Sequence, residues 1–160
     1  MTRFTAPAAK QAPKAICFWL SGQQLGVPIE HVKETIVLRP ITHVFLTPRW
    51  IAGLINLRGD VVAVLDLAGL LGLPATGFTD ETRIVITRCA GKTAGLLVDR
   101  LAEARHYDRE RLEPAPPTLA VEASELVAGV ATQEDGVPLV LLDLERLLHS
   151  ERLRPFSRRT

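Results

Sequence analysis

The sequence predicts an all-β domain made of two related halves, and three observations carry that reading. From about residue 15 to residue 150 the chain is a succession of short apolar runs separated by Gly-, Asp- and Pro-containing turns. The ending Asp-Leu-x-x-Leu-Leu occurs twice, at Asp66 to Leu71 and at Asp143 to Leu148. Gly26, Glu30, Val32 and Glu34 align with Gly95, Asp99, Leu101 and Glu103 at a constant offset of 69.

Taken in order, Ile16 to Leu20 is a strand, turned by Ser21-Gly22-Gln23-Gln24 into a second from Leu25 to Ile29. Ile29, Val32 and Ile36 fall at i, i+3 and i+7, a spacing that predicts one or two helical turns. Thr35 to Leu46 reads as extended chain interrupted by Pro40. Leu54 to Leu57 and Val61 to Leu65 form two arms around Arg58-Gly59-Asp60, where Gly59 supplies the positive φ of a tight turn. Asp66 suits the N-cap of a helix from Leu67 to Leu71, and Gly72 ends it.

The second half repeats the plan. Ile84 to Cys89 and Thr93 to Val98 are strands joined at Ala90-Gly91-Lys92, and a link bearing Pro114, Pro116 and Pro117 follows. Val127 to Thr132 and Val137 to Leu142 flank Glu134-Asp135-Gly136, and Asp143 caps a helix from Leu144 to about His149. Gly53 aligns with Gly129 at an offset of 76. The period is too long for a solenoid and fits two β units of about five strands each, about 15–78 and 79–150. Each unit alone is marginal for its size, so a shared apolar interface between them is expected. Residues 1–14 and 151–160 are polar, Pro-containing or basic and read as flexible tails.

Bulk properties narrow the function. A net charge of +1 gives no electrostatic case for nucleic acid, which needs a basic face. No run of about 18 apolar residues exists, so no membrane insertion is expected. Cys17 and Cys89 sit in apolar stretches and read as small buried side chains of a reduced compartment; a disulfide between them is an alternative that nothing in the sequence asks for, and a cytoplasmic chain is the simplest expectation.

Catalytic constellations are missing. There is no Gly-x-Ser-x-Gly elbow and no phosphate-cradling loop. His31, His43, His106 and His149 are scattered without ligand spacing, so neither a metal nor another cofactor is expected. Glu30 and Glu34, one helical turn apart, could form an acid/base pair, but a solvated face accounts for them more simply. Arg58-Gly59-Asp60 spells an adhesion tripeptide, which in a hairpin means turn geometry instead. Trp50 reads as a core anchor. For Arg58 the pattern leaves two readings open, a solvated tip and a partner contact. The counterpart turn at Glu134-Asp135-Gly136 keeps the capped helix without an Arg-Gly turn, so folding needs a hairpin twice but Arg58 only once.

Gly53-Leu54-Ile55-Asn56-Leu57-Arg58-Gly59 followed by Val61-Val62-Ala63-Val64-Leu65-Asp66-Leu67 resembles the signature hairpin of the chemotaxis coupling protein (CheW) family. Gly26 with Val32-Lys33-Glu34, the Gly95-Leu96-Leu97-Val98-Asp99 run, the Arg111 to Pro117 linker and the closing Leu139 to Leu148 segment are similar too. The likeness spans roughly Ile16 to Leu148. It implies two SH3-like five-stranded β-barrels with short helices, forming one CheW-like domain.

It also implies a non-catalytic adaptor at membrane-bound receptor arrays. Such an adaptor bridges the cytoplasmic tip of methyl-accepting chemoreceptors to the regulatory domain of the histidine kinase CheA. By position in the resemblance, Val32, Glu34, Gly53, Asn56, Arg58, Gly59 and Val61 match the receptor-binding groove. Ile41 and Gly95 fall where the kinase-contacting face is expected. Ala63 where the family often has proline, Gly22-Gln23-Gln24 in place of an acidic turn, and Leu25 in place of an aromatic are departures. They leave open a regulator in an alternative chemosensory system controlling type IV pili or gliding; a separate competing reading is a modulator that sequesters the kinase, which could retain Asn56-Leu57-Arg58-Gly59.

Overall fold

The computed structural model describes residues 12–117, 119–150 and 153. Among the described residues eleven strands run in order: β1 (Lys14–Leu20), β2 (Gln23–Pro28), β3 (Val32–Val37), β4 (Ile51–Leu57), β5 (Asp60–Asp66), β6 (Arg83–Cys89), β7 (Lys92–Val98), β8 (Arg100–Leu101), β9 (Arg105–His106), β10 (Val127–Thr132) and β11 (Pro138–Leu142). Short α-helices among the described residues are α1 (Leu67–Leu71), α2 (Val121–Ser124) and α3 (Leu144–Leu148).

Turn chemistry builds the hairpins. At Ser21-Gly22, Arg58-Gly59 and Ala90-Gly91 both central residues have positive φ, the geometry that matches the twist of paired strands. The Asp66 carboxylate accepts from Gly69 N–H and Gly72 closes α1 in the left-handed region, as the sequence predicts. Asp143 caps α3 in the same way through Arg146 N–H.

The strands assort into two sheets, which bears out the all-β, two-unit SH3-like fold. Sheet A has the order β10-β11-β2-β1-β8, with β9 also paired to β1, and sheet B has the order β3-β6-β7-β5-β4. Each sheet therefore takes an early hairpin from one half of the sequence and a late hairpin from the other. The joins are parallel: β11 on β2, with Leu141 opposite Gly26, and β5 on β7, with Val64 opposite Gly95. The 69-residue offset carries Gly26 to Gly95 and the 77-residue offset carries Val64 to Leu141, so the repeat written in the sequence is a pseudo-two-fold of the fold.

Neither sheet closes into a continuously paired barrel. In sheet B a single pair, Thr42 with Leu54, ties the arm after β3 to β4, and in sheet A Glu113 with Val130 does the same beside β10. Each small core sits on one face of its sheet: Ile55, Val62, Val64, Ile84 and Ile86 in sheet B, and Cys17, Tyr107, Ala131, Leu139 and Leu141 in sheet A. The opposite faces meet. Phe18, Leu20, Leu25 and Val27 from sheet A pack with Leu65, Leu96 and Val98 from sheet B and with the leucines of α1 and α3. This is the shared apolar interface, and it removes the largest continuous area from water.

Some expectations differ from the outcome. The Ile29–Val32–Ile36 spacing gives one 3-10 turn, Ile29–His31, and then strand β3 instead of further helix. Val32, Thr35, Ile36 and Val37 are β-branched, and β6 supplies a pairing partner that outweighs a three-residue helical match. Glu30 and Glu34 are therefore not on one helix face. The extended chain expected to Leu46 stops at Val37, and α2 is a helix that no periodicity announced. Residues 1–11 of the first tail lie outside the described residues, whereas Leu153, placed in the second tail, is buried in the shared core.

Candidate functional site

The Asn56-Leu57-Arg58-Gly59 run assigns one task to each residue. Leu57 is buried and anchors the end of β4. The Asn56 side-chain oxygen accepts from Gly59 N–H at 3.0 Å, bracing the turn across its mouth. Arg58 and Gly59 take the two positive-φ positions, at 53° and 92°. For a non-glycine residue that conformation costs roughly 1 kcal/mol.

Arg58 is 69% exposed, and its guanidinium is ion-paired with Glu34, whose side chain is 29% exposed. Glu34 stands on β3 and Arg58 at the end of β4, which are the two opposite edge strands of sheet B. The pair thus bridges the open gap of that sheet. Arg39 reinforces the bridge by donating from Nη1 to the Asn56 carbonyl at 2.9 Å. Val61 lies opposite Asn56 on β5 and is largely exposed, giving the charged pair an apolar flank.

Of the residues matched to the receptor-binding groove, the structure groups Glu34, Asn56, Arg58, Gly59 and Val61 around this turn. Val32 is half-buried and packs against the shared core. Gly53 is buried, and a Cβ built on it would come within 2.3 Å of the Thr42 carbonyl oxygen. Of the two residues matched to a kinase face, Ile41 packs against the small core of sheet B. Gly95 is buried, with Ile84 Cγ2 at 2.7 Å from a built Cβ, so it offers no surface of its own. Arg39 was missed by sequence reasoning because its partner is a main-chain carbonyl, which leaves no mark in residue types.

The arm before β4 exposes Phe45 and Leu46 at a turn tip, with Leu46 at φ 63°. Leu46→Gly is expected to raise stability by about 1 kcal/mol by relieving that strain, read as a higher midpoint in urea.

Sheet A carries its own cross-gap ion pair. Arg105 on β9 donates to Asp135, in the loop between β10 and β11, at 2.6 Å. The Arg105 hydrogen bond, followed by the one from Val137 N–H, holds the Asp135 carboxyl below its ordinary 3.8. A carboxyl lowered in the folded state adds stability that is complete above the unfolded value and is lost as pH falls through the lower folded value. Asp135→Asn is therefore expected to flatten the loss of stability below pH 3.8 and leave the neutral-pH slope unchanged, read by denaturant titration at stepped pH. Burial pushes the Cys17 thiol up to about 11, so it stays protonated beside the core. Among the described residues no group of three or more His, Cys, Asp or Glu could hold a metal ion, and no helix is long and apolar enough to cross a membrane.

The geometry presents an exposed charged turn braced by hydrogen bonds on a paired-strand scaffold. Comparison with known proteins agrees with that picture. The CheW-like domain matches residues 14–152. The chain is 30% identical over 142 residues to the chemotaxis protein CheW of Bacillus subtilis, covering 89% of this chain and 90% of that protein. It is 28% identical to protein FrzA of Myxococcus xanthus, covering 98% of each chain. Among solved structures, the scaffolding protein TtCheW of Thermoanaerobacter tengcongensis superposes with a TM-score of 0.79 at 29% identity, covering 94% of this chain and 96% of that one. The chain belongs to the CheW-like domain family and is a non-catalytic scaffold of chemosensory signalling.

Proposed function

We propose that this protein couples the cytoplasmic tips of chemoreceptors to the regulatory domain of the histidine kinase CheA, with the Arg58 turn as its receptor contact. The observation that carries the reading is the exposed guanidinium held over the open edge of sheet B by Glu34. An arginine fixed in direction but open to solvent loses little side-chain freedom on binding. Arg is over-represented among the residues that dominate interfaces. Asn56, Gly59 and Val61 complete the surface, and Glu34 aligns it. Gly53, Ile41 and Gly95 shape sheet B from within, and Val32 packs on the shared core. The protein acts in the cytoplasm, on receptors that carry their own membrane anchors.

Sedimentation of purified protein with a receptor-tip fragment and the kinase regulatory domain tests the reading. One complex containing all three is the expected result. Association with the kinase domain alone would leave the receptor contact without support.

A further inference from the structure

Three attachments follow one another along the outer edge of β4 and carry it across the open gap of sheet B. Leu54 exchanges both main-chain hydrogen bonds with Thr42, each 2.8 Å. The Asn56 carbonyl accepts from Arg39 Nη1 at 2.9 Å, and Arg58 pairs with Glu34. Leu54 and Asn56 stand two residues apart, opposite Ala63 and Val61 of β5, so the main-chain groups of both point away from β5 and into the gap. An edge strand leaves such groups without a strand partner, and at Asn56 a guanidinium takes the place of one.

The fold does not require the middle attachment. In sheet A, Val130, at an offset of 76 from Leu54 (130 − 54), exchanges both bonds with Glu113 at 2.8 and 2.9 Å, and Asp135 pairs with Arg105. The first and last attachments therefore recur. Thr132 is the counterpart of Asn56 at the same offset, and among the described residues no side chain donates to its carbonyl. The Glu113–Val130 pair sets an offset of 71 from Thr42 (113 − 42), which brings Glu110 to the place of Arg39. A carboxylate has no donor to offer a carbonyl. An open groove lined by Asp108, Glu110 and Thr132 stands there instead. Sheet A keeps its form on two attachments, so the third in sheet B answers a need other than folding.

We propose that Arg39 is a positioning residue for the receptor contact: it fixes the arm that follows β3 to the main chain of Asn56 and so sets where Glu34 meets the Arg58 guanidinium. Asn56 is the junction. Its side-chain oxygen takes Gly59 N–H at 3.0 Å inside the turn while its carbonyl takes Arg39 from outside, so one residue joins the turn to the opposite edge. Arg39 follows Glu34 on the same run of chain and is half-buried. Pro40 after it confines its backbone to extended conformations, which limits where the side chain can start. A guanidinium presents its donors on a rigid plane at the end of a long stem, and an ammonium can replace one bond without that plane. The role in binding rests on the proposed coupling function, whereas the role in the turn does not.

Arg39→Met and Arg39→Lys test it, each alone and combined with Arg58→Ala in the full chain, by amide hydrogen exchange in nitrogen-15 NMR spectra and by titration with a receptor-tip fragment. In Arg39→Met the Gly59 amide should exchange at least about fivefold faster, the effect of one lost hydrogen bond, while Ile55, Val64 and Ile84 exchange as in the wild type. Receptor affinity should fall about five- to tenfold, and Arg39→Lys should recover most of both losses. In the Arg58→Ala background Arg39→Met should cost less than about twofold further, because Arg39 acts through Arg58. An unchanged Gly59 amide in Arg39→Met overturns the proposal. Faster exchange throughout the small core of sheet B overturns it too, since Arg39 then serves folding. An undiminished loss of affinity in the Arg58→Ala background also overturns it, since Arg39 then touches the receptor itself. Normal binding by Arg58→Ala alone counts against the receptor contact instead, and Gly59 exchange then still decides whether Arg39 sets the turn.

Discussion

Arg58→Glu is expected to weaken association with a receptor-tip fragment by at least about thirtyfold, the effect of losing a dominant interface residue. Stability should change by less than about 1 kcal/mol, because exposed ion pairs contribute little. The contrast between the two readouts is the point. Arg58 is 69% exposed and the more exposed member of the Arg58–Glu34 bridge, so its replacement removes little from the core. Two carboxylates would face each other across the gap of sheet B in the variant, and Glu34→Arg added to it restores an opposite-charge pair. Recovered binding in the double variant identifies the bridge as what matters. No recovery identifies the guanidinium at position 58 itself. A well-folded single variant that binds normally would remove the turn from the receptor contact. Isothermal titration and thermal melts on the same samples decide among these.

Gly53→Ala is expected to have the largest effect on folding of any single methyl addition here, about 3 kcal/mol or more. Its φ of 148° is a conformation essentially reserved for glycine, and its neighbour on the Cβ side is the main-chain carbonyl of Thr42, which also bonds to Leu54 N–H. Backbone in that position cannot step aside as a side chain could. At Gly59, also at positive φ, a built Cβ meets nothing within 4 Å, so Gly59→Ala is expected to cost only about 1 kcal/mol. Urea unfolding of both variants separates the roles. If Gly53→Ala folds normally but fails to bind receptor, Gly53 acts in the contact and not in the barrel.

Those two glycines also mark the boundary of what the sequence makes legible. Hairpins are local: a Gly at the right offset between apolar arms suffices, and the turns at Ser21-Gly22, Arg58-Gly59 and Ala90-Gly91 are readable one by one. Helix caps are local too, so Asp66, Gly72 and Asp143 announce α1 and α3. Which strand neighbours which is not local. The parallel joins β5–β7 and β2–β11 link chain far apart in sequence, and no turn type specifies them. The repeat offsets contain that pairing only once the partners are known. Gly129 repeats Gly53 because both sheets need the same close approach, with Leu112 Cβ at 2.7 Å from a Cβ built on Gly129. The recurrence is visible in the sequence, but the carbonyl and side chain that cause it are not.

At the site, the charged turn is legible through Arg58 and Glu34, while burial of Gly53, Val32 and Gly95 is not. A motif reports that residues belong together without saying which face water. The Ile29–Val32–Ile36 spacing shows the converse failure: three positions fit a helix, and the β-branched residues around them fit a paired edge strand better.

Kinase activity reconstituted with receptor-bearing membranes tests the central claim most directly. Adding the chain should raise phosphorylation by the kinase and place it under control of receptor ligand, and Arg58→Glu should abolish that gain. A fall in activity on addition, or a rise indifferent to receptor ligand, would contradict a coupling role and point to sequestration of the kinase instead.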